Sequence, residues 1–392
     1  GNQRLRDRRL AEIAGFPTGR VFSPDEISLV EERLRRTGIF RTVSLTEEDD
    51  VSADGSLGFN LVVGEEVPRR FGVGAEVASF EGLSLSGFWL HRNLLGGGER
   101  LRFDGSVSGI GGQSGGTDYS LSARIERPAT FSADNTAFAE AEAAQLDEAD
   151  YASDRFALSF GMKRQFRRRL EGDIALSYVD STVTDALGTT HYRNIALPIS
   201  LSYDRRDVPL DATSGWYVRA EVKPVLGFGG TGDGVRLFGD ARYFRSFGAE
   251  DRVVLATRLQ AGSVAGPSRL AIPREDLFYS GGGGTVRGHP YQSLGVTTAL
   301  PAGLRTGGQS FVGASAEVRV DLSERIGVVG FADAGGVAPD EFFGGGMEWQ
   351  TGAGIGLRYN TAVGPIRLDI AAPIGGATAD GVQVYVGIGQ AF

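Results

Sequence analysis

From Arg69 onward the chain repeats with a period of two, and charged side chains recur on one face of strands whose other face is apolar. In the segment Arg252–Ala261, Val253, Leu255, Thr257 and Leu259 share one face, while Arg252, Val254, Ala256, Arg258 and Gln260 share the other. In Gly215–Lys223, Trp216, Val218, Ala220 and Val222 oppose Tyr217, Arg219, Glu221 and Lys223. Side chains of a strand point alternately to its two sides, so each strand has one apolar and one ionic face. A sandwich core would be disrupted by such ions. A closed barrel with a lipid-facing outside and a water-filled lumen accommodates them.

The composition fits that reading. A hydrophobic content of 41% suits a barrel in which every second residue is apolar. No stretch approaches the roughly 18–20 consecutive apolar residues that a membrane helix needs. Glycine accounts for 59 of 392 residues without a triplet period, which points to many turns, bulges and close backbone approaches. There are no cysteines, hence neither a disulfide framework nor a thiolate metal site. With only His91, His191 and His289, a histidine metal cluster is not expected either. The net charge of −9 argues against non-specific nucleic-acid binding. The glycine runs Gly96–Gly98 and Gly281–Gly284 lie outside any strand–loop–helix unit, which speaks against a nucleotide cradle and for loop flexibility. No cofactor is implied.

Strands are expected near 70–80, 83–91, 99–109, 117–127, 133–145, 151–163, 169–180 and 192–204, and again near 215–225, 233–246, 251–262, 310–320, 325–335, 347–359, 364–373 and 380–392. They number about sixteen, an even count, with lengths that match a tilted bilayer span. The fold class is therefore an all-β membrane protein, a sixteen-stranded antiparallel transmembrane barrel over residues 67–392. One connection, 263–309, is far longer than a hairpin needs, and loops of that length are usually functional.

Residues 1–66 follow other rules. Leu5–Ala14 reads as a short helix. Ser23, Pro24 and Glu26 form a helix start with a capping serine, proline at the first helical position and a capping-box glutamate. Ile27, Val30 and Leu34 then repeat at helical spacing until Gly38. Two alternating strands follow, Ile39–Leu45 and Ser56–Val63, around a turn at Asp54 and Gly55. The region is a small α+β domain.

The long loop carries Val286, Arg287, Gly288 and His289. Downstream, Glu317 shares a polar face with Gly313, Ser315, Arg319 and Asp321, and Asp333 shares one with Phe331 and Gly335. Arg287 is either an ordinary surface arginine or a guanidinium folded into the lumen. In the second case it must meet acceptors, because an unpaired buried charge is costly, and two carboxylates would supply bidentate bonds. His289 has no serine or cysteine nucleophile with a positioned acid nearby, so no enzyme is expected.

The tripeptide Val286–Gly288, with the segments Gly313–Glu317 and Phe331–Gly335, resembles the bacterial surface-antigen superfamily of BamA/TamA-type outer-membrane assembly proteins. The turn Tyr203–Trp216 resembles that superfamily's mid-barrel hairpin signature, and Tyr291–Gly295 is similar to the TamA branch in particular. His289 stands where the family usually has Phe or Tyr. The resemblance implies that Arg287 locks the loop inside the barrel against Glu317 and Asp333. It also implies that residues 1–66 are a periplasmic POTRA domain with most of its first strand missing, two further such domains preceding Gly1. The expected function is an outer-membrane insertase for autotransporters and other unfolded β-barrel substrates, with a periplasmic TamB-like partner bound through the POTRA domain. A general BamA-type assembly factor and a two-partner secretion pore are the alternatives.

The last strand should run from Val382 to Phe392, with Val384, Val386, Ile388 and Phe392 on one face. The final phenylalanine resembles the signal by which outer-membrane barrels are recognised. Gly387 and Gly389 weaken this strand, and its closure partner, Phe71, Gly72, Val73 and Gly74 onward, is also glycine-rich. A weak lateral seam between first and last strands is the expected consequence, and strand templating there is the mechanism the resemblance implies.

Overall fold

The computed structural model describes residues 1–297, 304–361, 364–377 and 381–392. The chain opens with α1 (Asp7–Ala14) and α2 (Pro24–Arg36). Helix α1 stops at Gly15, whose φ of 55° only glycine adopts readily. Pro24 occupies the first turn of α2 as anticipated, but the Ser23 side chain makes no capping bond. Glu26 pairs instead with Arg20, 3.2 Å away, so the expected capping box does not form. Val30 and Leu34 face inward and pack with Leu5, Ile13, Phe40, Val43 and Val63. Strands β1 (Phe40–Val51) and β2 (Leu57–Glu65) pair antiparallel, with Val43 opposite Val63. The residues ahead of α1 lie alongside: the backbone N–H groups of Gln3 and Arg4 donate to the Glu65 carboxylate at 2.9 and 2.7 Å.

This unit is fastened to the barrel by arginines. Arg9 is buried and donates to the carbonyl oxygens of Gly97 (2.9 Å) and Pro128 (2.5 Å). Arg33 grips Asp134 with two parallel bonds of 2.9 and 2.7 Å. Such fork-to-fork contacts fix orientation as well as distance.

The remainder is a closed antiparallel barrel. Its first half comprises β3 (Arg69–Ala78), β4 (Gly82–His91), β5 (Arg100–Ile110), β6 (Asp118–Pro128), β7 (Asn135–Asp147), β8 (Tyr151–Arg167), β9 (Leu170–Asp185), β10 (Gly188–Ala196) and β11 (Ile199–Asp204). Then come β12 (Gly215–Gly229), β13 (Gly234–Phe247) and β14 (Val253–Ala265). After the long loop, which holds the short pair β15 (Val296–Thr297) and β16 (Arg305–Thr306), the wall resumes with β17 (Ser310–Asp321) and β18 (Ile326–Ala338). It ends with β19 (Glu348–Thr361), β20 (Gly364–Gly375) and β21 (Gln383–Ile388). Strands β10 and β11 both lie between β9 and β12 and are one strand interrupted at Pro198, which has no N–H for the ladder. Counted so, the barrel has sixteen strands. Among the described residues no helix is long and apolar enough to cross a membrane.

The period-two reading gives the correct sides. Leu259 is 62% exposed on the outer face, whereas Val254 and Ala256 are buried on the inner one. The outside carries Leu121, Phe160, Leu176, Leu226 and Ile355, all exposed. The inside is threaded with ion pairs such as Arg258 with Asp240 (2.7 Å) and Arg124 with Glu140 (2.7 Å).

One expected strand is cut short. The last strand stops at Ile388, not Phe392. Gly389 takes a φ of 95°, donates to the Pro365 carbonyl at 2.7 Å, and the chain then turns into the lumen. There Phe392 packs against Phe244, ring centroids 6.4 Å apart, in a cluster with Ala212 and Ala256. Alternation assigned Phe392 to the lipid face, but a left-handed glycine resets the side-chain parity, and an aromatic niche inside receives the ring.

Candidate functional site

The long loop between β14 and β17 folds back through the barrel and is tied to the wall on several sides. Lys223 of β12 meets Asp276 at 2.7 Å, and the buried pair Arg274 and Asp185 closes to 2.8 Å. The hydroxyl of Ser181 donates to Glu275, and Arg305 reaches Asp150 at 2.6 Å. Each tie joins a loop residue to a wall strand or hairpin, so the loop fills the lumen as a fixed element.

At its centre lies Arg287, 2% exposed. Its Nε and Nη2 donate to the two oxygens of Asp333 at 2.7 and 3.0 Å. Nη1 donates to Glu317 at 2.7 Å, with Asp369 of β20 at 3.4 Å. The backbone N–H of Arg287 also donates to Asp333, 3.2 Å away. Beneath the guanidinium lies the Phe331 ring, its centroid 3.5 Å from Cζ, a stacked cation–π arrangement. Burial opposes the charge on Arg287, but Asp333, Glu317 and Asp369 more than offset it and hold its pKa above the ordinary arginine value. Five of the seven lock residues thus lie together: Arg287 with Glu317, Asp333 and Phe331, and Val286 wholly buried beside Gly335.

The neighbouring backbone is shaped for close approach. Gly288 has a φ of 93°, and a Cβ there would come within 2.7 Å of the Ala372 carbonyl carbon. A Cβ on Gly352 of β19 would collide with the Arg287 carbonyl oxygen. His289 is fully buried, and its Nε2 lies 3.0 Å from the Thr351 carbonyl oxygen, so that nitrogen carries the proton. In this chain the aromatic position after the tripeptide is thus held by a hydrogen bond to the wall.

Two sets of residues escaped the sequence reading. Asp369 joins the lock and also pairs with Arg358, while Glu317 is shared with Arg319 at 2.8 Å. Tyr385 of β21 accepts a bond from the Gly288 N–H at 3.1 Å. Asp369, ionic between Leu368 and Ile370 and on the face of Arg367, carried an alternation signal that marked it as lumenal. Tyr385, which alternates with Val384 and Val386, carried the same lumenal signal, but nothing in the sequence named the partner of its hydroxyl.

The first and last strands meet over a short stretch. Among the described residues only Tyr385 with Ala78 and Val386 with Val77 stand in register, against eleven pairs between β14 and β17 and six between β20 and β21. Ser79 adds a backbone bond to the Val384 carbonyl at 3.0 Å, and Glu76 forms an ion pair with Arg367. Phe71, Gly72, Val73 and Gly74 pair with β4 on one side but have no β21 residue in register on the other, and Phe71 and Val73 are 81% and 87% exposed. Of the seam glycines, Gly387 lies against Glu76 of β3, whose side chain a Cβ would meet at 3.5 Å, whereas Gly72 makes room for the Phe88 ring of β4, which a Cβ would meet at 2.4 Å. The seam is short because β21 is short and its end turns inward.

A closed antiparallel barrel with an apolar exterior, an ionic lumen and its longest loop locked inside defines an outer-membrane β-barrel. The chain belongs to the Omp85 superfamily, whose domain matches residues 93–392. Among solved structures it is similar to BamA from Haemophilus ducreyi lacking POTRA domains 1-3, at 18% identity and a TM-score of 0.76, over 100% of this chain and 83% of that one. It is also similar to CdiB from Acinetobacter baumannii, at 12% identity and a TM-score of 0.74, over 99% and 72% of the two chains. CdiB from Escherichia coli aligns at 13% identity with a TM-score of 0.61, over 98% and 74%. At these identities the likeness concerns the fold.

Proposed function

We propose that this protein is an outer-membrane insertase that assists autotransporters and other β-barrel proteins, of the TamA kind, and that it is not an enzyme. The observation that carries the reading is the seam: two registered pairs, with the edge of β3 free from Phe71 to Gly74. An unpaired edge in lipid leaves backbone groups unsatisfied, and an incoming strand would satisfy them by β-augmentation. Short extracellular connections other than the long loop favour the TamA kind over a general BamA-type factor. On this reading residues 1–66 act as a periplasmic POTRA domain, and the β1 edge beside Val43 pairs with a TamB-like partner.

The test exploits the absence of cysteine. A Val77→Cys, Val386→Cys pair joins facing residues of the seam, and a disulfide there should block assembly of an autotransporter substrate until reduced. Undiminished assembly with the seam oxidised would sink the templating reading.

The likeness of fold to the two CdiB structures supports a second reading, a two-partner secretion pore. That reading places substrate in the lumen. Photocrosslinking probes at Arg219 and Arg258 would then capture substrate, whereas templating places adducts on β3 and β21.

A further inference from the structure

The in-folded loop touches both sides of the seam, β21 on one side and the hairpin that leaves β3 on the other, within six residues. Gly288, in the lock tripeptide, donates its N–H to the phenolic oxygen of Tyr385 at 3.1 Å. Gly283 donates its N–H to the carboxylate of Glu81 at 3.2 Å. Tyr385 is one of the two β21 residues with a registered partner on β3, and Glu81 sits in the tight hairpin that joins β3 to β4. We propose that the segment Gly283–Gly288 is an internal staple, gripping β21 through Tyr385 and the β3–β4 hairpin through Glu81, and that it governs how readily the extracellular end of the seam parts.

The segment is rigid enough to serve. The Thr285 hydroxyl accepts from the Gly281 N–H at 2.8 Å and donates to the Gly281 carbonyl at 2.9 Å. Gly282 donates to the His289 carbonyl at 2.9 Å, which closes the turn. Arg287, between the two gripping glycines, is fixed to β17 and β18 by Glu317 and Asp333. The staple is thus anchored to a part of the wall away from the seam.

Its ends are placed where they count. The Tyr385 ring packs with Ala78 across the seam and with Phe331, the ring under Arg287. Loss of the lock would therefore be felt at β21 through one shared cluster. On the other side, Ser79 follows Ala78 and carries the backbone bond to Val384, two residues before Glu81. With so few bonds across the seam, two more from the loop form a large share of what holds it. A single hydrogen bond is worth roughly a fivefold change in an equilibrium.

The functional weight of this staple rests on the seam-templating reading above, but its existence is tested separately. The whole chain in detergent micelles is followed by native-state hydrogen exchange, which reports local opening. Tyr385→Phe keeps the ring and removes only the hydroxyl, and Glu81→Ala removes the other grip. Each variant should speed exchange at residues 77–79 and 384–386 roughly fivefold or more. Amides of β17 and β18 around Glu317 and Asp333 should keep their wild-type rates. Unchanged seam exchange in both variants overturns the staple, and so does acceleration of β17 and β18 to the same extent as the seam. Faster seam exchange with unaltered substrate adducts would uphold the staple and count against templating.

Discussion

Arg319 donates to the backbone oxygen of Phe392 across 3.3 Å, and the same guanidinium is held by Glu317 at 2.8 Å. Since Glu317 also binds Arg287, a continuous ionic path runs from the loop lock to the residues that follow the last strand. A parallel path leads through Asp369 to Arg358, whose Nε donates to Gln390 at 2.9 Å. The inward turn of residues 389–392 is therefore fastened to the same charges that fasten the loop.

Releasing these residues should lengthen the seam. With Arg319→Gln and Arg358→Gln combined, Gln390 and Phe392 lose charged partners, and β21 is free to extend along Gly74 to Phe71. Spin labels at Val73 and Gln390 should report a shorter separation than in the parent protein. An unchanged separation would mean that the aromatic niche around Phe244, with the Gln390 bond to Asp211 and the Gly389 bond to Pro365, keeps the turn.

Within the lock, Asp333 is the carboxylate with most to lose. Its hydrogen bonds in the lock all come from Arg287, whereas Glu317 keeps Arg319 and Asp369 keeps Arg358. Arg287→Ala should cost about 3–5 kcal/mol, the usual penalty for stranding a buried partner. Arg287→Ala with Asp333→Ala should cost markedly less than the sum of the two single changes. Unfolding in detergent, arranged as a double-mutant cycle, measures the difference.

Phe331→Leu keeps an apolar floor under Arg287 but removes the π-face. A loss of about 1–2 kcal/mol is expected for a desolvated cation–π contact. The same substitution in an Arg287→Ala background should cost less, because the cation is already gone.

The end of the lumen beside the β7–β8 turn should be sensitive to pH. Glu148, in the turn after β7, is pushed up to about 8 by burial and then by the carboxylates of Asp118, Asp147, Asp150 and Glu81. It lines a cavity of about 210 Å³ with Glu81, Asp118, Asp147 and Tyr291, and Gln292 of the loop donates to it at 3.4 Å. A carboxyl whose folded pKa is raised binds its proton more tightly in the native state. Stability is then fully present below the unfolded value near 4.5 and falls as pH rises towards 8. The unfolding temperature should drop between pH 6 and pH 9, and Glu148→Gln should flatten that slope. A slope of the same size in the variant would show that other groups carry it.

Much of this architecture was legible because a barrel writes its geometry into alternation. Leu259 against Arg258, and Trp216 against Lys223, assign sides without any knowledge of partners. The lock was legible for a different reason: a guanidinium in a long loop needs acceptors, and Glu317 and Asp333 stood on lumenal faces. What remained hidden depends on one backbone angle or one shared contact. The left-handed turn at Gly389 moves Phe392 from lipid to lumen, and no periodicity foretells it. Ser23 and Glu26 offered a capping box, yet Arg20 competes successfully for Glu26. Tyr385 reads as lumenal between Val384 and Val386, but its tie to the Gly288 N–H is a tertiary contact that no alternation names.

The burial of Arg287 and Glu317, at 2% and 0% exposure, has a bearing on environment. Mobile ions weaken charges they can approach, within a Debye length of about 8 Å at physiological strength, and these charges are sealed from them. The Arg33 and Asp134 grip that holds the N-terminal unit to the barrel is partly open to water. Raising the salt concentration should therefore loosen the N-terminal unit while leaving the plug seated, so the two articulations of one molecule answer to different surroundings.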